Sequence, residues 1–400
     1  MKQAFQNKQC DEHSLVGSEI PEGWSNLQWG NIATLEYGKG LKNYSGAIGK
    51  YPVYGTNGPI GYCDKCLSNS PGVIIGRKGA YRGVHYSKNP FHVIDTAFYL
   101  KPKIGDLDLK FAYYELLTQD INGLDTGSAI PSTTRDSFYG LSVKLPPLST
   151  QRAIAKILSD LDDKIELNHQ MNKTLESIAQ ALFKRWFVEF EFPGYEETKF
   201  IDGVPEGWEK VPLTDVVDVL GGGTPSTNEP SYWGNELPFF TPKDASDNCY
   251  VIETEKEITL EGLENCNSQK YPRNTVFITA RGTVGKVCMA GCDMAMNQSC
   301  YAIRGKSEDR QQYYIYLLIK SLANQLTQNA HGTVFETITT ETFRTTQVIQ
   351  PPQDVLDEFI TCVQSLYDQI LFNIQETRKL AQIRDSILPR LMSGKIRARG

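Results

Sequence analysis

A chain of 400 residues, 40% hydrophobic and 22% charged, has the composition of a globular protein long enough for two or more separately cored domains. No stretch approaches the roughly 20 apolar residues of a membrane span. The start of the chain, with Asp11, Glu12 and His13, lacks the apolar core of a signal peptide, so a cytoplasmic location is expected. Nine cysteines in so long a chain argue against a disulfide framework, and a net charge of −6 requires any nucleic-acid-binding surface to be local.

In chain order, residues 1–19 form a lead that nothing later repeats, expected to help close the helical end or to be partly disordered. Residues 20–148 are rich in Gly, Tyr, Thr and Pro, and short runs such as "GVIIG" predict strands between irregular loops, with a helix near Leu109 to Ile121. Helical periodicity takes over in 149–203, a long helix followed by a charged linker. Strand-and-loop chemistry returns over 204–352, with "NTVFITA" and a helix near Gln311 to Leu326, and 353–400 is a second long helix.

The order is a duplication. "IPEGW" ending at Trp24 returns as "VPEGW" ending at Trp208, and "VIIGRKG" ending at Gly79 returns as "VFITARG" ending at Gly282. "GSAIPSTTRDSF" from Gly127 returns as "GTVFETITTETF" from Gly332, and "LPPL" at Leu145 as "QPPQ" at Gln350. The offset grows from 184 at the tryptophans to 205 at the proline pairs, so the second copy carries 21 extra residues, mostly before its "ARG" strand. The frame is kept and the loops differ.

Ser149 and Asp354 are the expected N-caps of the long helices. A 4-3 spacing follows at Ile154, Leu158, Leu161, Ile165, Asn168, Asn172, Leu175, Ala179, Leu182 and Trp186. The second copy repeats it 205 residues later at Phe359, Val363, Leu366, Ile370, Asn373, Thr377, Leu380, Arg384, Ile387 and Leu391. Ten such positions predict a coiled-coil seam, and a helix of about 38 residues spans roughly 57 Å; two separate amphipathic helices are the alternative. Asn168 and Asn373 share a seam position where a buried amide can fix register. Pro351 to Thr377 carries five acidic residues and no basic one, whereas Arg378 to Gly400 carries seven basic residues and Asp385. The first helix begins acidic (Asp160, Asp162, Asp163, Glu166) and ends basic (Lys173, Lys184, Arg185), so an antiparallel pair is predicted.

Basic residues concentrate locally. From Pro71 to Ile94 stand Arg77, Lys78, Arg82 and Lys88 with His85 and His92 and no acid, interleaved with Tyr81 and Tyr86 and joined by Tyr51 and Tyr54. The second copy offers Arg281, Lys286, Arg304 and Lys306 against Asp293. Lys and Arg neutralise phosphates, and Arg, Asn, Gln, Ser and Thr read base edges; a solvated loop face is the bland alternative, and its recurrence favours DNA. No G-x-x-x-x-G-K-[ST], G-x-S-x-G or H-E-x-x-H occurs, and no Asn or Asp precedes a proline pair and aromatic, so a non-catalytic protein is expected. Cys63 and Cys66 with His85 and His92 have an unusual spacing for zinc and no counterpart in the second copy, so no metal is expected. Glu197 to Lys199 reads as charged linker, and "GGGTPS" from Gly221 as a turn or a loop facing nucleic acid.

With these features, the whole chain resembles the DNA-specificity subunit of a type I restriction-modification system. The carrying residues are "YPVYGTNGPIGY" (Tyr51 to Tyr62), "GVIIGRKGAYRGV" (Gly72 to Val84) and "IDTAFYL" (Ile94 to Leu100), then "GGGTPSTNEPSYWGNELPFFTPKD" (Gly221 to Asp244), "ARGTVGKV" (Ala280 to Val287) and "LPPLSTQRAIAKIL" from Leu145. The resemblance implies an α+β fold: two β-rich target-recognition domains in pseudo-two-fold arrangement, separated by two long helices forming an antiparallel coiled coil. Each domain would read one half of a bipartite asymmetric site on double-stranded DNA, with the helices setting the spacer. It implies two methylation subunits using S-adenosylmethionine and a restriction subunit using ATP and Mg, none of these cofactors being bound by this chain, and no membrane partner. Candidate DNA contacts are Tyr54, Asn57, Arg77, Lys78, Tyr81, Arg82, Asp95, Ser128, Thr133, Thr134 and Arg135, and in the second copy Thr224, Ser226, Lys243, Arg281, Thr283, Gln298, Thr333 and Thr337. Glu336 and Glu341 replace Pro131 and Asp136, a change that would repel phosphate but could accept from cytosine. The competing class is a coiled-coil adaptor whose β-domains bind protein or carbohydrate.

Overall fold

The computed structural model describes residues 20–44, 48–124, 130–246, 248–306, 311–330 and 337–398. The 1–19 lead, Ser128, Thr333 and Glu336 lie outside the described residues. The chain divides into two compact units, 1–164 with 379–400, and 165–378, and the division falls inside both long helices. No helix among the described residues is long and apolar enough to cross a membrane.

In the first unit β1 (Ser25–Gln28), α1 (Trp29–Ile32), β2 (Ala33–Tyr37), β3 (Tyr51–Gly55), β4 (Gly58–Cys63), β5 (Gly72–Gly76), β6 (Val84–Ser87), β7 (His92–Val93) and β8 (Ala97–Pro102) precede α2 (Leu109–Leu117), α3 (Arg135–Tyr139), β9 (Ser142–Leu145) and the first half of α4 (Leu148–Phe183). A four-stranded sheet β2-β8-β5-β6 lies with a three-stranded sheet β4-β3-β7 and the pair β1-β9. Strand β5 reads "GVIIG" because both of its faces are covered. Val73 and Ile75 enter the core with Phe98, Phe111 and Tyr114, while Ile74 points to Tyr54, Phe91 and Val93. Asp108 caps α2 by accepting from the amides of Lys110 and Phe111.

The second unit repeats this frame. Strands β10 (Phe200–Ile201), β11 (Val204–Pro205), β12 (Glu209–Pro212), α5 (Leu213–Val216), β13 (Val217–Gly221), β14 (Trp233–Phe240), β15 (Tyr250–Val251), β16 (Glu257–Ile258), α6 (Leu260–Glu264), β17 (Val276–Thr279), β18 (Val287–Ala290), β19 (Ala295–Met296) and β20 (Cys300–Gly305) come first. Then follow α7 (Gln312–Ala330), α8 (Thr340–Thr345), β21 (Gln347–Gln350) and α9 (Gln353–Met392). The sheets are β13-β20-β17-β18-β15, β16-β14-β19 and β12-β21, so β15 alone extends the main sheet. Most of the extra residues enter between β14 and β16, the equivalents of β3 and β4, and supply β15. Strand β17 again alternates between two cores, Val276 and Ile278 in one, Phe277 in the other.

The seam forms as the charge pattern predicts. In the first unit, Ile154 and Leu158 of α4 join Leu388, Leu391 and Met392 of α9 in one core, and Arg384 reaches Asp162 at 2.6 Å. In the second unit, the far end of α4 meets the beginning of α9: Phe359 packs against Phe183, Trp186 and Phe187, with ring centroids 6.3, 5.5 and 4.8 Å away. Pairing is therefore antiparallel within each unit, and none of the seam residues is exposed. Asn168 and Asn373 are buried; Asn168 Nδ2 donates to Glu376 Oε2 at 2.8 Å and Thr377 Oγ1 at 3.3 Å, and Asn373 Nδ2 to Asn172 Oδ1 at 2.8 Å. The expected caps are corrected by two residues: α4 and α9 begin at Leu148 and Gln353, directly after the proline pairs, so Ser149 and Asp354 sit inside the first turn. Proline fixes the approach, and a residue of this kind in the first turn still faces free amides.

Phe359→Ala should cost about 3–5 kcal/mol, the usual range for emptying a buried aromatic site. Phe372→Ala, on the same helix but 58% exposed, should stay within about 0.5 kcal/mol. Urea unfolding of the two variants checks the contrast.

Candidate nucleic-acid interface

In the first unit, four separate stretches converge beyond the end of β5. Gly76 N donates to Gly83 O, closing the loop that holds Arg77 to Arg82. The Arg77 and Lys78 amides both donate to Thr96 O, and Thr56 Oγ1 donates to Lys78 O and Thr96 O at 2.8 and 2.6 Å. From the far side, Thr133 N donates to Arg77 O, and Gly79 N to Pro131 O. The Arg77 guanidinium donates to Asp95 O at 3.1 Å and lies over the Tyr37 ring, as does that of Arg135.

This cluster brings Asn57, Arg77, Lys78, Asp95, Thr134 and Arg135 onto adjoining loops, with the exposed Tyr81 on the same turn. Other candidates turn inward. Arg82 is only 2% exposed; its guanidinium donates to the carbonyls of Gly79, Ile121 and Asn122 and so braces the loop from inside. Thr133 is buried too, and Tyr54 packs edge-on against Phe91. His85 is buried, and His92 is buried between the carbonyls of Lys65 and Lys39. Lys88 is drawn to Asp163 of α4, and that hydrogen bond holds the Asp163 carboxyl below its ordinary range.

The second unit repeats the backbone hydrogen bonds that set the loop and its neighbours. Ala280 N and Arg281 N donate to Ser299 O, Ile338 N to Ala280 O, and Thr279 N to Lys286 O. Gly223 N bonds Met296 O as Lys39 N bonds Val93 O, and Asn297 N bonds Phe240 O as Ile94 N bonds Tyr54 O. The side chains on this scaffold differ. A cleft of about 390 Å³ is lined by Thr224, Trp233, Thr241, Lys243, Lys256 and Arg281 among others. Thr224 Oγ1 meets Gln298 Oε1, Lys256 lies over the Trp233 ring, and the Trp233 indole donates to Ser226 O. Lys243 approaches Glu255 at 3.8 Å, Thr283 is exposed, and Thr337 is half-buried just before Ile338. Arg344 turns to Glu341 of its own helix, which lowers that carboxyl.

Sequence reasoning missed Tyr37, Thr56, Thr96, Trp233 and Ser299. The signal for two of these was available: Thr96 and Ser299 occupy equivalent places, each a hydroxyl residue beside a candidate. Each domain is also tied to its helices by a carboxylate at one repeated position, Asp163 to Lys88 and Asp368 to Arg273 and Tyr313. Tyr114 donates to Asp162 at 2.6 Å, and burial beside that carboxylate pushes its hydroxyl well up.

A frame built twice, each copy holding a variable loop cluster beyond the end of a central sheet strand, defines a duplicated recognition protein. The sequence profile of the type I restriction modification DNA specificity domain matches residues 21–177 and 205–384, and the chain belongs to that family. It is 29% identical over 347 residues to the type I restriction enzyme HindI specificity subunit of Haemophilus influenzae, covering 71% of this chain and 74% of that one. It is 24% identical over 399 residues to the MjaIX specificity subunit of Methanocaldococcus jannaschii, covering 97% and 92%. The crystal structure of a type I restriction-modification S subunit from M. genitalium shares the fold, with TM-score 0.67 at 16% identity over 94% of this chain and 97% of that one. Two specificity domains in one chain fit recognition of a bipartite site.

The convergence depends on glycines. A Cβ on Gly38 would collide with the Ile94 carbonyl, and one on Gly222 with the equivalent Asn297 carbonyl, whereas one on Gly221 meets nothing within 4 Å. Gly222→Ala should therefore cost about 1–3 kcal/mol in thermal unfolding, and Gly221→Ala should be near neutral.

Proposed function

We propose that each β-domain reads one half of a split, asymmetric site on double-stranded DNA, and that α4 and α9 set the spacer between the halves. The observation that carries this reading is the duplicated loop cluster. The same backbone hydrogen bonds present Lys78 with Asp95 in one domain and Arg281 with Gln298 in the other. A common backbone with different donors and acceptors is what two unlike half-sites require. Basic side chains in the same clusters supply phosphate contacts that hold the register.

The chain is the reading component, and chemistry belongs to subunits docked on it: two methylation subunits with S-adenosylmethionine and a restriction subunit with ATP and Mg, all acting in the cytoplasm. The outer faces of the helices support paired docking. Leu167 and Phe372 stand 205 residues apart and are 49% and 58% exposed, and Ile178 and Ile383, at the same offset, are 44% and 49% exposed. Exposed apolar side chains repeated at one offset suit two copies of one partner.

Exchange of residues 204–352 for the same segment of another family member should change one half of the methylated motif and leave the other intact, read by adenine-methylation sequencing. Alteration of both halves, or of neither, would contradict one domain per half-site. Leu167→Asp and Phe372→Asp should each remove one methylation subunit from the complex in native mass spectrometry, leaving the fold intact because neither side chain is buried.

A further inference from the structure

The first domain carries a feature that the second lacks. Tyr37 ends β2, Arg77 follows β5 and Arg135 opens α3, so three distant stretches meet at one ring. The guanidinium carbons lie 4.9 Å (Arg77) and 4.1 Å (Arg135) from the Tyr37 centroid, and Phe98 backs that ring at 5.0 Å. Arg77 is further held by Asp95 O at 3.1 Å. Tyr37 remains 46% exposed, so the stack stands at the surface. Among the described residues neither arginine joins an ion pair, and Arg135 Nε is buried with no hydrogen-bond partner. Two cations gathered on one ring, with no ion pair to neutralise either, suit a ligand rich in acceptors.

Stacking decides which ligand fits. A guanidinium laid on an aromatic face loses its freedom to rotate and displays its edge donors in a fixed fork. A fixed fork can also grip a phosphate, but Lys78 on the same loop already supplies a phosphate cation, and the exposed carboxylate of Asp95 on the adjoining loop disfavours a phosphate there. A fixed fork matches the O6 and N7 acceptors of guanine in the major groove. The exposed Asp95 on the neighbouring loop is of the type that accepts from cytosine N4, the other half of that base pair. The equivalent positions in the second domain, by the offsets of the repeat, are Gly221, Ala280 and Thr340, which can build no such stack.

We infer that the Tyr37–Arg77–Arg135 stack reads a guanine in the half-site of the first domain, with Arg135 as the principal reader. This rests on the reading of the chain as a DNA specificity subunit and adds to it one base, one groove and one domain.

The test uses the assembled complex with the methylation subunits. A pool of randomised duplexes is enriched on the wild-type complex, and the half retained on exchange of residues 204–352 is assigned to the first domain. That half should contain a guanine whose replacement by 7-deazaguanine, which lacks N7, weakens binding about tenfold. Inosine, which keeps O6 and N7, should bind as guanine does. Arg135→Lys should relax selection at that one position, while selection in the second half stays unchanged and reports that the complex is intact. A first half without guanine, indifference to 7-deazaguanine, or equal weakening by Arg135→Lys on every sequence would overturn the inference, the last result marking a phosphate grip. Enrichment of no split motif by the wild-type complex would overturn both the inference and the DNA reading beneath it.

Discussion

The polar layer in the helix seam fixes what the rest of the structure depends on. Asn168 and Asn373 are buried at equivalent positions of an otherwise largely apolar seam, and in the observed alignment their amides are satisfied by Asn172, Glu376 and Thr377. A slip that set Asn168 against Ile370 and Asn373 against Ile165 would strand those donors, at about 1–3 kcal/mol for each unpaired group. Asn168 Oδ1 has no partner even here, so the layer is retained at a cost in stability in exchange for register. Register matters because the helices carry the anchors. Asp163 and Asp368 hold their own β-domains by basic side chains, and a displaced helix would present other residues to those loops.

On that base the β-frame separates constancy from variation. Backbone hydrogen bonds, buried apolar strands and two glycines without room for a side chain define the frame, and they recur in both copies. The side chains carried on the loop clusters differ between the copies, and the backbone bonds of the frame do not depend on their identity. Arg77 can become Ala280, and Asp95 can become Gln298, while the amides on either side keep their carbonyl partners. Recognition can therefore change without refolding. The extra strand β15 shows the same tolerance, since it was added at the outer edge of the main sheet and left the shared order untouched.

Much of this was legible in the residues. The duplication, the seam and the direction of its pairing follow from spacing and charge, because each is a periodic or summed property of nearby residues. The "GVIIG" strand was legible for a related reason: a run without polar residues must be covered on both faces. The loop cluster was less legible. Tyr37 lies 40 residues before Arg77 in the sequence, and nothing local marks it as the platform on which two arginines rest. Arg82 looked like its basic neighbours because charge does not reveal burial; three backbone carbonyls compensate it inside the domain. Trp233 escaped notice because it opens β14, ahead of the insertion that carries Lys256, and only the fold brings that lysine over its ring.

Hydroxyl-radical footprinting of the assembled complex, on a duplex carrying its methylated motif, tests the central claim most directly. Two protected windows, about one helical turn apart with an open spacer between them, are the expected result. One continuous window, or two windows that both persist when the second domain is deleted, would contradict the assignment of one domain to each half-site.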